Sequence, residues 1–279
     1  MTGLVLEAAA AVRSPAGPGP ARADSPRAAT VRAFHDDLLG PFGAKADEDL
    51  LARGAHVSHR RLADLLADSD AVRGTRPQLV VVAHALPDVV PFTAVAPHLT
   101  NRLGGSATNF AIAQQGLAAP FTALRIAAAY QRSGRAAEAV VAVLEQTTLP
   151  TPFPLVRDTP LIDSAAALVL RAGAGGAAGL RLAGVGSGAP DPTGWDAGTL
   201  LVRGPGARPD TEAGRADVHL APGDSYCTGV WLELALHHEH WQRSYRRIVL
   251  TDTDPLTGRS HHAVFTATAA AASAAADGR

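Results

Sequence analysis

Asn109-Phe-Ala-Ile-Ala-Gln-Gln-Gly-Leu-Ala-Ala-Pro-Phe-Thr-Ala-Leu124 decides the fold. An apolar run, 109–114, reads as a strand and meets a tight Gln-Gln-Gly116 turn. An alanine-rich helical segment then runs from Ala118 through Tyr130 to Ser133-Gly134. Glycine before a helix lets the backbone bend sharply and presents the next side chain at the helix N-terminus. A nucleophile gains most at that place, because the helix dipole stabilises its anion. The residue presented here is Leu117, which has no lone pair and no ionisable proton.

Outward from this stretch the chain alternates strands and helices. Leu4 to Val12 reads as a first buried strand, followed by a Pro/Gly/Ala/Arg loop over 13–29. Helical patterning covers 30–52, broken at Gly40-Pro41, and a clearer helix runs from Ser58 to Ser69 with Leu62, Leu65 and Leu66 on one face. Gln78 to Ala83 is a continuous apolar run of the length of a strand buried on both faces, and Ala139 to Leu144 is another. Phe92, Val95, Leu99 and Leu103 recur at helical spacing up to Gly104. Gly173 to Gly188 reads as a hairpin. Residues 189–222 are mostly Gly, Pro, Asp, Arg and Thr around one apolar run, Leu200-Leu201-Val202. A helix from Val230 to Trp241 follows. A closing strand pair is expected over 246–251 and 262–266, around a turn from Asp252 to Gly258.

The opening stretch resembles the thiolase superfamily, most closely its ketoacyl-ACP synthase III branch, whose members carry Phe-x-Ile/Val-x-x-x-(Gly)-Cys-Ala-x-x-Phe-x-x-Ala-Leu. Phe110, Ile112, Gly116, Ala118, Phe121, Ala123 and Leu124 match, and Leu117 falls on the acyl-accepting cysteine. Leu161 to Leu170 is similar to the family's Gly-Asp-Gly-Ala-Ala-Ala-x-Val-Leu segment, with Ile162 and Ser164 in place of its glycines. The resemblance implies an α/β class, thiolase-like layered α/β/α sandwich. Residues 1–188 would form a complete first half, 189–222 a compressed linker or remnant and 223–268 the end of a reduced second half. A disordered tail is expected at 269–279.

The same resemblance implies three catalytic needs: a thiolate, a His/Asn pair and backbone N–H groups that hold an oxyanion. Leu117 cannot form a thioester. Asp224 stands at the asparagine position, where a carboxylate repels a developing enolate unless protonated. The family's His-Gln-Ala-Asn segment is absent, and His219 is the one histidine in that interval. Phe92, Leu117 and Phe121 are the positions expected to shape a pocket at the subunit interface.

Composition narrows the classes further. The chain has 279 residues, a net charge of −1 and interspersed charges of both signs, with a pI of about 6.8. That balance argues against a dedicated nucleic-acid or polyanion binder. No apolar run approaches the ~20 residues that span a bilayer. Met1-Thr-Gly-Leu-Val-Leu lacks the basic start of a signal peptide, and the single cysteine, Cys227, permits no internal disulfide. A cytoplasmic location is the expectation. Lys45 is the only lysine.

Other chemistry-bearing residues have plainer readings. Cys227 lies near a predicted helix start, where a thiol is activated, but a small packing residue explains it as well. His237 and His240 share a helix face without a His-Glu-x-x-His pattern. With His238, Glu239, His261 and His262 they read as solvated residues, and no metal or cofactor is expected. Asp252 and Asp254 read as turn organisers.

The superfamily is obligately dimeric, so a copy without its nucleophile implies a silent subunit. It would pair with a cysteine-containing synthase III-like partner in a heterodimeric acyltransferase of specialised metabolism. The alternative is a stand-alone acyltransferase acting on acyl-CoA or acyl-carrier-protein thioesters, homodimeric, with His84, His98, His219 or Asp224 as base. A third reading is a module that only binds such a thioester.

Overall fold

The two continuous apolar runs form the centre of the sheet. β2 (Leu79–His84) and β4 (Glu138–Glu145) pair in parallel, and β4 is buried along its whole length. Alternation divides their side chains between two cores: Leu79, Val81 and Ala83 enter one, Val80 and Val82 the other. The structure is a computed structural model and describes residues 3–15, 17, 26–173, 179–207 and 213–268. The expected tail and much of the 13–29 loop lie outside the described residues.

β1 (Gly3–Arg13) is followed by α1 (Pro26–Leu39), α2 (Glu48–Arg53) and α3 (His59–Asp68) before β2. Ser58 caps α3 by accepting from the Arg61 N–H at 3.2 Å, and Leu62 and Leu66 are fully buried. β3 (Thr108–Ile112) and β4 complete a parallel set, joined by α4 (Val95–Arg102) and α5 (Ala118–Arg132). The short α6 (Pro154–Asp158) precedes β5 (Ser164–Gly173), which runs antiparallel between β4 and β1.

The remaining elements are β6 (Leu180–Ser187), β7 (Thr199–Arg203), β8 (Asp217–Leu220), α7 (Gly229–Ser244), β9 (Arg247–Thr253) and β10 (Ser260–Ala267). The ten strands form one sheet in the order β3-β2-β4-β5-β1-β6-β10-β9-β7-β8. Its second five strands mirror the first five. β7 is parallel to β8 and β9, as β2 is to β3 and β4. β10 is antiparallel to β9 and β6, as β5 is to β4 and β1. The mirror makes α5 and α7 equivalent helices. α5 packs on β1 to β4 but also on β6 and β10, and α7 on β1 and β5 as well as β9 and β10. Both are held between strands of the two halves, and alanines at 119, 123 and 127 let α5 approach closely.

The halves differ in cover. α3 and α4 close the outer face of the first half over Val80, Val140 and Ala142. Among the described residues α7 is the only helix after β6. The outer face of the second half is closed by a loop whose Trp195 packs with Leu201 and Val249.

Three sequence expectations are corrected. β6 does not form a hairpin with β5; β1 lies between them, because β5 spends both edges on β4 and β1. The interval read as a compressed linker or remnant supplies two strands, β7 over its apolar run and β8, which the pattern does not mark because it is four residues long and largely exposed. Phe92 precedes α4 rather than joining its face. It is 54% exposed and meets only Phe34 edge to face among the described rings.

Candidate functional site

The equivalent helices α5 and α7 begin close to one another, beside a cavity of about 250 Å³. Leu117, Leu155 and Leu161 give it apolar walls; Ser225, Tyr226 and Asp252 are its polar lining. Leu117 sits at the N-cap of α5 with no side-chain cap and is 3% exposed. The turn before it holds Gln114 at φ +59° and Gly116 at φ +53°. Glycine is required at the second position for space too. A Cβ on Gly116 would lie 2.6 Å from the Asp254 carboxylate and 2.7 Å from the Tyr226 hydroxyl.

Asp254 determines what this site can do. It follows β9, and its Oδ1 accepts from the Leu256 N–H at 2.8 Å, so it organises the turn as expected. Its Oδ2 points inward. It accepts from the Tyr226 hydroxyl at 3.1 Å and, at 3.4 Å, from the N–H of Leu117. A carboxylate therefore faces the positive end of α5 and the N–H of its N-cap residue. Burial, and then the charge of Asp254, push the Tyr226 phenol upward.

Asp252 is two residues earlier and 2% exposed. Its Oδ1 accepts from the N–H groups of Thr253 at 2.8 Å and Gly206 at 3.0 Å. Burial dominates over these contacts and raises its carboxyl to about 7. The turn Gly204-Pro205-Gly206 after β7 packs against it, and a Cβ on Gly204 would collide with the carboxyl group. A group titrating near neutrality inside a cavity is suited to proton transfer. The Ser225 hydroxyl is buried with no hydrogen-bond partner among the described residues.

The loop into α7 is fixed from below. Glu145, at the end of β4 and fully buried, accepts from the N–H groups of Tyr226 at 2.8 Å and Cys227 at 2.5 Å. Burial raises the Glu145 carboxyl despite these donors. Ser164, at the start of β5, shares a 2.7 Å hydrogen bond with Thr228.

Most residues singled out in the sequence lie elsewhere. Cys227 is 2% exposed, outside the cavity lining, with its thiol toward the Leu144 carbonyl at 3.7 Å. Burial and the nearby Glu145 push that thiol up, a setting that suits a packing residue. Asp224 is adjacent to the lining residues Gly223 and Ser225 but turns to Arg13, 2.5 Å away. Phe121 is buried against Trp231 and stacks on the His261 ring; it supports the site from within α5. His219 lies on β8 and contacts Glu233 at 2.7 Å, away from the cavity. His84 bonds the Leu86 carbonyl, and His98 pairs with Asp64. Neither lines the cavity. The residues missed were Asp252 as a cavity group, Tyr226 and Ser225. Only the Pro-Gly-Asp-Ser-Tyr run before α7 marked the last two.

No known family model matches this sequence, and no curated protein does. Solved structures do. 3-Oxoacyl-(acyl carrier protein) synthase III, FabH, from Pseudomonas aeruginosa PAO1 is similar with a TM-score of 0.61 at 18% identity, covering 95% of this chain and 98% of that one. AbyA1, a tetronic acid condensing enzyme, is similar at 0.62 and 15%, covering 94% and 99%. A cysteine-to-serine form of Xanthomonas campestris OleA, solved with lauric acid and lauroyl-CoA, is similar at 0.61 and 15%, covering 95% and 99%. Among the described residues no helix is long and apolar enough to cross a membrane. The mirrored sheet, the two enclosed helices and these similarities together establish that the chain has the thiolase-like α/β fold of the FabH and OleA condensing enzymes.

Proposed function

We propose that this chain is the non-catalytic subunit of a heterodimeric, synthase III-like acyltransferase of specialised metabolism, which stabilises a cysteine-containing partner and shapes its acyl pocket. One observation carries the reading: the N–H of Leu117 is directed to the Asp254 carboxylate. A ketosynthase centre needs that N–H free for an oxyanion. Here the nucleophile is a leucine, the donor already meets an anion, and the asparagine position is an aspartate paired with Arg13. The leucine removes the nucleophile, the Asp254 carboxylate disfavours negative charge beside it, and the Arg13 pairing turns Asp224 away from the cavity. β3 stands at one end of the sheet, where the resemblance puts the dimer contact, and its outer edge, unpaired among the described residues, offers a place for a partner strand.

The test is co-expression with a cysteine-containing synthase III-like protein from the same genomic neighbourhood, followed by native mass spectrometry. A one-to-one complex acylated only on the partner's cysteine supports the reading. A homodimer that ignores every such candidate refutes it.

Asp252 favours a second reading, a stand-alone acyl transfer from a thioester to a bound acceptor. Its carboxyl, near 7 in a cavity with an unpartnered Ser225 hydroxyl, would serve as the base in place of the four candidates expected from sequence. OleA has been solved with lauroyl-CoA, which makes long-chain acyl-CoA the first thioester to assay. Turnover by the purified chain that disappears in Asp252→Asn supports this reading.

A further inference from the structure

We infer that His219, Glu233 and His237 form a binding site for a divalent transition metal, Zn²⁺ by its donor set. The sequence conceals it, because His219 lies on β8 and the other two on α7. Folding brings one ligand atom of each within 4.8 Å of the others.

The geometry is that of three donors around a point. The His219 Nε2 lies 2.7 Å and the His237 Nε2 3.6 Å from the same oxygen, Glu233 Oε2. Tetrahedral Zn²⁺ with bonds near 2.0–2.1 Å separates its ligand atoms by about 3.3 Å. Small side-chain rotations therefore suffice. A simple ion pair needs one histidine; the nitrogen of the second lies beyond hydrogen-bond distance of the oxygen, at a separation that two ligands of one metal ion adopt.

The surroundings suit a ligand set. The Glu233 side chain is 6% exposed, whereas those of His219 and His237 are 32% and 42% exposed. This leaves a solvent side for entry and a fourth ligand. The other carboxylate oxygen, Oε1, faces the Arg13 guanidinium at 3.5 Å, and Arg13 is anchored on Asp224. That contact fixes Glu233 to bind through Oε2 alone, as outer groups commonly orient a metal ligand. The Trp241 ring lies 5.2 Å from each imidazole and limits their rotation. Two imidazoles and a carboxylate suit Zn²⁺ better than Mg²⁺ or Ca²⁺, which take oxygen ligands. A bound ion would tie β8, which among the described residues pairs only with β7, directly to α7.

The experiment titrates the full chain, free of any histidine tag, with Zn²⁺ alone and follows uptake by calorimetry and melting temperature. One equivalent should bind and raise the melting temperature. His219→Ala and His237→Ala should each weaken binding at least about tenfold, while His240→Ala on the same helix changes nothing. Absence of saturable uptake overturns the proposal, as does binding that survives loss of both His219 and His237. Should those variants fail to fold, X-ray absorption on the intact Zn²⁺-loaded chain decides. A first shell of two imidazoles, one carboxylate oxygen and one solvent oxygen supports the site, and a shell without two imidazoles refutes it.

Discussion

Replacing Asp252 by asparagine should stabilise the protein at alkaline pH and lose most of that gain in acid. The Asp252 carboxyl titrates at about 7 because it is buried, whereas in the unfolded chain it titrates near the usual 3.8. The folded state thus holds a proton that the unfolded state releases. Stability from this group is intact below about pH 4 and is lost as pH rises toward 7. At pH 8 the ionised form carries a penalty of about 4 kcal/mol, and at pH 5 less than about 2 kcal/mol. Asparagine keeps the Oδ1 acceptor for the Thr253 and Gly206 N–H groups and removes the charge. Urea midpoints for wild type and Asp252→Asn across pH 5 to 8, at constant ionic strength, measure the difference. It should widen with pH by about 2 kcal/mol or more. A difference that is flat over that range would refute the argument that burial holds this carboxyl near neutrality.

The other predictions concern the same turn and loop. Leu117→Cys should give a sluggish thiol, because Asp254 sits against residue 117; adding Asp254→Asn should speed its alkylation by iodoacetamide at neutral pH about tenfold or more. Gly116→Ala should lower stability by about 2–3 kcal/mol, read as a drop in melting temperature, since its Cβ meets Asp254 and Tyr226 at a positive φ. Cys227 should ignore a disulfide thiol reagent in the native protein and react once denaturant opens the loop, because its thiol is buried and pushed up.

The sequence displayed the first half well, because its signals are local. β2 and β4 are unbroken apolar runs, buried on both faces, and the strand-turn-helix around Gly116 is specified by its own residues. The pairing of distant segments was not visible. β8 has two exposed apolar residues, Val218 and Leu220, and becomes a strand only because β7 offers an edge. Phe92 obeys the spacing of α4 yet lies before its first turn. Of the site, Leu117 was legible at once, and Asp254 only as a turn residue, since nothing local says which way its second oxygen points. Asp252 gains its proton affinity from burial, and the turn at Gly204 that packs against it is almost fifty residues away. His219, Glu233 and His237 meet only when β8 and α7 pack.

The unequal cover of the sheet divides the molecule into regions of different local opening. Strands under α3 and α4 lose contacts on both faces only when the whole core comes apart. The outer face of β7 and β9 rests on one loop through Trp195, and β8 beyond them ends the sheet. Lifting that loop exposes little apolar surface, so it requires far less free energy than global unfolding. Amides of β7 and β8 should therefore exchange with solvent through sub-global events, while those of β2 and β4 wait for complete unfolding. The protein has one continuous sheet but two levels of protection along it, and the weakly protected level lies at the end opposite β3.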